Sequence, residues 1–200
     1  MGLPGQAAHH KMAPLSRITE LKEIDITSRN PKKAAVLSLF YPDGQNITKL
    51  LLIHRKDYKG VHGNQVGFPG GKMEAGDESL MQTALRETEE EVGVLARNIE
   101  VLKELTELYI PPSNFLVRPY LGITKQQPIF LKQESEVEAI IEVTLSEYLN
   151  DDAIIDQKLT TSYAIAIDVP AFKLNGFTVW GATAMILSEL KEMLTHALKP

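Results

Sequence analysis

The chain has no cysteine, which removes disulfides, thiolate catalysis and cysteine-ligated zinc from consideration. It also lacks any run approaching the ~18 apolar residues of a membrane span. The opening stretch MGLPGQAAHHKMAP contains no apolar segment of secretion-signal length. A cytoplasmic protein with no membrane partner is therefore expected. Basic residues are scattered: 21 Lys and Arg stand against 26 Asp and Glu, for a net charge of −5. Tracking a nucleic-acid backbone needs a clustered basic surface, so no nucleic-acid partner is expected. No internal repeat or low-complexity linker appears. The 200 residues read as a single domain, 1–200, large enough to bury roughly 70% of its unfolded surface. Residues 1–30 are treated as an N-terminal extension packed on it.

Apolar patterning predicts a mixture of strands and helices. AAVLSLFY and KLLLIHR are strand candidates separated by PDGQNIT, whose Asp43-Gly44 is a turn signal. IEVLKELTELYI, NFLVRPYLGIT, EVEAIIEV and SYAIAIDV are further strands, and Pro119 in the second of these suggests an edge or a bulge. Residues 78–92 read as a helix, with Leu80, Ala84, Thr88 and Val92 repeating at i+4 and Met81 and Leu85 widening the stripe. Asp77 or Ser79 can cap its start, and Gly93 stands just past its end. A final helix follows GFTVWGA, burying Met185, Ile186, Leu190 and Leu194, with Trp180 as an anchor at its start. Elements that mix without strict alternation imply a mixed sheet with helices packed on it.

The informative stretch is FPGGKMEAGDESLMQTALRETEEEVGV, residues 68–94. It carries four glutamates within five residues, directly behind paired glycines, Gly70-Gly71, that read as a turn. At ~100° per residue, Glu87 and Glu91 fall on one border of the apolar stripe, Glu90 one step further round, and Glu89 on the other side. A solvated acidic face interleaves cations at i+4, but Arg86, four residues before Glu90, is the only one nearby. Three half-shielded carboxylates suit a hard divalent cation such as Mg²⁺, which takes oxygen ligands and commonly bridges carboxylates to phosphates. Gly70 and Gly71 would let a backbone carbonyl approach the same ion.

These residues resemble the Nudix box, G-x5-E-x7-R-E-U-x-E-E-x-G-U, where U is a bulky aliphatic residue. Arg86, Glu87, Glu90, Glu91, Gly93 and Val94 match, and Thr88 replaces the first aliphatic position. Gly71 with Asp77 fits the glycine and first acid, leaving the interval to Arg86 one residue too long; alternatively Glu78 is the first acid and the extra residue lies before it. The resemblance implies a Nudix-type α/β/α sandwich with a mixed β-sheet and a metal-dependent pyrophosphatase. Mg²⁺ or Mn²⁺ would be held by Glu87, Glu90, Glu91 and the Gly71 carbonyl. Arg86 would orient a carboxylate, and Glu87 is the first choice for the water-activating base.

LLIHRKDYKGVHGNQVGFPGGK resembles the extended element preceding the box in coenzyme A pyrophosphatases. Leu51, Leu52, Arg55 and Phe68-Pro69-Gly70-Gly71 match. Ile53, Lys56, Gly60 and Asn64 depart, the last tolerably because Asn visits left-handed torsions. The lengthened box is itself typical of that subgroup. The resemblance implies cleavage of coenzyme A to 4′-phosphopantetheine and adenosine 3′,5′-bisphosphate, with ADP-ribose or dinucleoside polyphosphate hydrolysis, or a non-catalytic nucleotide sensor, as rivals. Arg55, Lys56 and Lys59 are the residues expected to meet substrate phosphates. His54 and His62 are read as structural or surface residues, and Glu134, Glu136 and Glu138 as outward-facing strand residues. A homodimer is compatible with the sequence.

Overall fold

The computed structural model describes residues 2–57, 63–161 and 164–198. In chain order the first elements are helices α1 (Gln6–His10) and α2 (Leu15–Glu23), then strands β1 (Lys32–Pro42), β2 (Thr48–Arg55), β3 (Val66–Gly67) and β4 (Gly70–Lys72). Helix α3 (Leu80–Val92) is followed by β5 (Glu100–Glu104), β6 (Leu108–Ile110), β7 (Phe115–Ile123) and β8 (Val137–Thr144). The chain then forms α4 (Leu145–Leu149), β9 (Ile154–Thr161), β10 (Ala164–Leu174), β11 (Phe177–Val179) and α5 (Gly181–Ala197). Its internal contacts divide it into two compact units: residues 30–145, and residues 1–29 together with 146–200.

The unit formed by residues 30–145 is built on the mixed sheet that the sequence predicts. Strand order is β3-β2-β1-β7-β5, with β4 also on β1, β6 on β7 and β8 on β2. The β1–β7 pairing is parallel, and β1 meets β2 and β4 antiparallel. Alternation along β1 and β2 sends Ala35, Leu37, Leu39, Tyr41, Leu51 and Ile53 into one buried cluster, closed by Ala84 and Val92 of α3. Strand β7 is not an edge, contrary to one of the two readings of Pro119, because it lies between β1 and β5. Its proline falls where the neighbouring strand is interrupted between Glu104 and Leu108. The Pro119 carbonyl accepts from Leu105 N–H at 2.9 Å, so the absent N–H points to that interruption, where no ladder bond is forfeited.

In the other unit, β9, β10 and β11 form an antiparallel sheet. The α5 helix buries Met185, Ile186 and Leu190, as its spacing predicts, while Leu194 is only half-buried. Residues 1–29 pack with this unit rather than with the segment that follows them. Glu189 of α5, fully buried, accepts from Gly5 N–H at 3.2 Å and meets His9 Nε2 at 3.1 Å. A buried carboxylate without such partners would carry a large desolvation cost. Among the described residues no helix is long and apolar enough to cross a membrane.

Candidate active site

The α3 helix forms where its sequence signals place it. Ser79 is the N-cap, its Oγ accepting from Gln82 N–H at 3.2 Å, which settles the choice between Asp77 and Ser79. Gly93 closes the helix in the left-handed region at φ 75°. Two carbonyls near the end of α3 are then taken by the crossing chain, Val92 by Leu131 N–H and Glu91 by Gln133 N–H, each at 2.9 Å.

Asp77 lies just ahead of that cap with its carboxylate buried. It grips Arg86 in two places, Nε to Oδ1 at 2.9 Å and Nη2 to Oδ2 at 3.0 Å. Oδ2 also accepts from Thr83 Oγ1 at 3.0 Å and Glu74 N–H at 2.9 Å. The bonds to Arg86, foremost among these contacts, hold the Asp77 carboxyl well below the usual carboxylate range. Glu78 is exposed, so the acid facing the box arginine is Asp77. The other edge of the guanidinium reaches Glu90 at 2.9 Å and Glu87 at 3.1 Å, and Nη2 also meets the Lys72 carbonyl at 3.2 Å. Arg86 thus contacts three carboxylates.

A second arginine stands at the opposite end of α3. The β1–β4 register pairs Ala35 with Gly71 and Val36 with Gly70. Ladder bonds at Leu37–Pro69 and Lys33–Met73 make 35/71 a hydrogen-bonded pair by alternation, so the polar groups of Gly70 turn away from β1. They are met there by Glu91 Oε2, which accepts from Gly70 N–H at 2.8 Å, and by Arg55 Nη2, which donates to the Gly70 carbonyl at 2.7 Å. Arg55 Nη1 donates to Glu91 Oε1 at 2.8 Å, closing a ring. Glu91 is 1% exposed. Burial pushes its carboxyl up to about 7, against the opposing pull of Arg55 and Gly70 N–H. Gly70 has φ +147°, and a Cβ there would lie 2.3 Å from the Ala35 carbonyl oxygen. The paired glycines are thus a strand segment, not the turn that their composition suggested.

Gly71 has a different reason to be glycine. A Cβ on it would stand 2.5 Å from the Glu87 carboxyl carbon and Oε1, so the missing side chain makes the space that the carboxylate occupies. Burial raises the Glu87 pKa, with Arg86 opposing. Glu90 is the exposed member, and Glu89 turns to cap Ala96 N–H at 3.0 Å. Among the described residues no three acidic or imidazole groups form a ready metal cage. Glu90 pairs with Arg86 and Glu91 with Arg55.

The donor set nonetheless suits a hard cation. It offers only oxygen, and four carboxylates share two guanidiniums, leaving surplus negative charge on a partly buried surface. Of the expected phosphate contacts, Arg55 faces Glu91 and the Phe68 and Gly70 carbonyls. Lys56 is half-buried at the end of β2, its N–H bonded to the Glu136 carbonyl at 2.8 Å. Lys59 and His62 lie outside the described residues. His54 bonds Asn64 at 2.9 Å, and Asn64 takes the left-handed torsion expected of it, φ 58°. Glu134, Glu136 and Glu138 are exposed.

The family model described as the NUDIX domain matches residues 30–163. The chain belongs to the Nudix hydrolase family. Two relatives described as uncharacterized Nudix hydrolase NudL are each 34% identical to it. One, from Yersinia enterocolitica, aligns over 72% of this chain and 73% of its own length; the other, from Yersinia pestis, over 73% and 72%. In three dimensions it is similar to RenU, a Nudix hydrolase from M. smegmatis (TM-score 0.57, 17% identity, 85% of this chain and 89% of that one). It is also similar to the NUDIX domain of Shewanella oneidensis NrtR, solved with ADP ribose (TM-score 0.51, 19% identity, 88% and 97%). Nudix hydrolases generally use divalent metal ions, which accords with the oxygen-only donor set. Sequence reasoning left the Asp77 role open and did not find the Arg55–Glu91–Gly70 ring. Its one local signal is the row Leu51, Ile53, Arg55, where a core-facing strand ends in a cation.

Proposed function

We propose that this Nudix hydrolase cleaves the diphosphate of coenzyme A, or of an acyl or oxidised derivative, to 4′-phosphopantetheine and adenosine 3′,5′-bisphosphate. The observation that carries the reading is that Leu51–Gly71, the element resembling coenzyme A pyrophosphatases, is joined to the box helix through Arg55, Glu91 and Gly70. When bound, a divalent ion such as Mg²⁺ or Mn²⁺ would supply charge neutralisation at the phosphate oxygens and acidification of water. The residues assigned to hold it are Glu87, Glu90, Glu91 and the Gly71 carbonyl.

Hydrolysis adds one water across a P–O–P linkage, forming one P–O bond and breaking another. Glu87 is assigned to take the proton of the attacking water, because its carboxylate sits among the residues assigned to the metal, beside Gly71 and Arg86. Arg86 fixes Glu87 and Glu90 relative to Asp77, so the carboxylates are placed before substrate arrives. Lys56 and Lys59 are assigned to substrate phosphates, where a flexible ammonium serves as a point charge. ADP-ribose is the second substrate considered, because the NrtR structure was solved with it.

Product mass spectrometry over coenzyme A, dephospho-coenzyme A, ADP-ribose, NADH and diadenosine polyphosphates, with Mg²⁺ and with Mn²⁺, tests the assignment. Coenzyme A should exceed dephospho-coenzyme A in kcat/KM by roughly ten- to a hundredfold, the worth of one charge-assisted contact to the 3′-phosphate. EDTA should abolish turnover, and Glu90→Gln should lower kcat on both coenzymes alike by about two orders of magnitude. Much faster cleavage of ADP-ribose would remove the coenzyme A assignment and leave the hydrolase.

A further inference from the structure

Arg55 was expected among the phosphate contacts, yet its guanidinium lies against the protein's own acceptors. It follows Leu51 and Ile53 on the β2 face that buries against α3, and its side chain is 21% exposed. Nη1 donates to Glu91 Oε1 at 2.8 Å, while Nη2 donates to the Gly70 carbonyl at 2.7 Å and, more weakly, to the Phe68 carbonyl at 3.4 Å. The second oxygen of Glu91 is engaged by Gly70 N–H. One planar fork thus spans a helix carboxylate and the backbone of the segment that precedes the box. A lysine ammonium at the end of a flexible stem has no such fixed geometry.

The ring reaches further than Glu91. Gly70 is fixed between Arg55 and Glu91, and Gly71, the next residue, is the one whose bare Cα leaves space for the Glu87 carboxylate. Displacing Arg55 would therefore free the direction of Glu91 and loosen the wall against which Glu87 rests. Placement errors of about 1 Å in such groups can cost on the order of a hundredfold in rate.

We propose that Arg55 is a positioning residue for diphosphate hydrolysis, which acts through Glu91 and the Gly70–Gly71 backbone and does not read the substrate's phosphates. This rests on the proposed hydrolysis at the site, but on no particular nucleotide. The test therefore uses whichever diphosphate the wild type cleaves best, plus coenzyme A and dephospho-coenzyme A wherever both are cleaved.

Arg55→Lys keeps the charge, and Arg55→Ala removes it. Each should lower kcat by about ten- to a hundredfold on every substrate cleaved, with KM changing less than about threefold. Any preference for the 3′-phosphate should be unaltered, and lysine should recover folding without recovering kcat. Groups that act as a unit are non-additive, so Arg55→Lys with Glu91→Gln should be no slower than Glu91→Gln alone. In chelator-treated protein, amide exchange at Gly70 should accelerate in Arg55→Lys, a readout independent of turnover. A rise in KM at constant kcat, a reduced preference for the 3′-phosphate, or multiplying effects in the double variant would overturn the proposal. So would a lowered Tm with full kcat in the folded fraction, which marks a purely structural role. Failure of the coenzyme A assignment shows in the substrate panel of the wild type and leaves this test intact.

Discussion

The two ends of α3 each carry an arginine on a carboxylate, and the two pairs differ in what surrounds the acid. At the N-terminal end, Asp77 takes two bonds from Arg86, one from Thr83 and one from Glu74 N–H, and its pKa is depressed. At the C-terminal end, Glu91 takes one bond from Arg55 and one from Gly70 N–H, and burial outweighs both. The same ion-pair chemistry gives one acid that is comfortable as an anion and one that is not. An arginine nearby does not fix the state of a carboxylate; the number of donors set against desolvation does. Under the proposed function, the first pair would anchor the helix carboxylates in place and the second would hold the acid assigned to the metal.

The sharpest way to break that contrast is to neutralise each acid. Glu91→Gln should lower kcat at least about a hundredfold, a loss of roughly 2.7 kcal/mol in transition-state stabilisation. Its Tm at pH 8 without metal should not fall, because the amide oxygen can still accept from Gly70 N–H while a buried charge is removed. Steady-state kinetics with thermal melts of one preparation checks both. Asp77→Asn should reverse the balance, costing about 1–3 kcal/mol of folding stability through the lost charge-assisted bonds, with a kcat loss smaller than that of Glu91→Gln. Equal Tm losses in the two variants would erase the distinction.

A smaller effect separates the pairs by pH. Between the ordinary value of 4.5 and about 7, folded Glu91 keeps a proton that the unfolded chain has released. Stability of the chelator-treated protein should therefore fall as pH rises through this window, and Glu91→Gln should flatten that slope. Asp77 works in the opposite sense. Its depressed pKa contributes stability present above its ordinary value of 3.8 and lost as pH falls below it. Urea midpoints measured from pH 3 to 8 would show both signs.

The least effect is expected midway between the pairs, at Thr88. Its hydroxyl, fully buried, donates to the Ala84 carbonyl at 2.7 Å where the family pattern has an aliphatic residue. Thr88→Val should change stability by less than about 1 kcal/mol and leave kcat unaltered. A large loss of kcat would mean that the helix between the two arginines carries more of the site than its ends do.

Periodicity located α3 and the strands β1, β2, β7 and β8, because these depend on spacings of two and 3.6 residues that are written along the chain, and a glycine marked the helix end at Gly93. It also marked the glutamates, since like charges crowded on one helix are visible without coordinates. What spacing could not show was partnership. Asp77 and Glu78 are adjacent and both acidic, and only folding turns one toward Arg86 and leaves the other in solvent. Gly70 and Gly71 read as a turn by composition, and only their pairing with β1 makes them a strand with one face left to Arg55 and Glu91. Arg55 and Glu91 lie 36 residues apart, a separation over which local pattern carries no information. Local pattern along the chain settles which residues carry charge and which segments can be helix or strand. Tertiary structure decided which acid meets which arginine and how far burial exceeds the donors available, because both depend on distances that exist only once α3 is packed on the sheet.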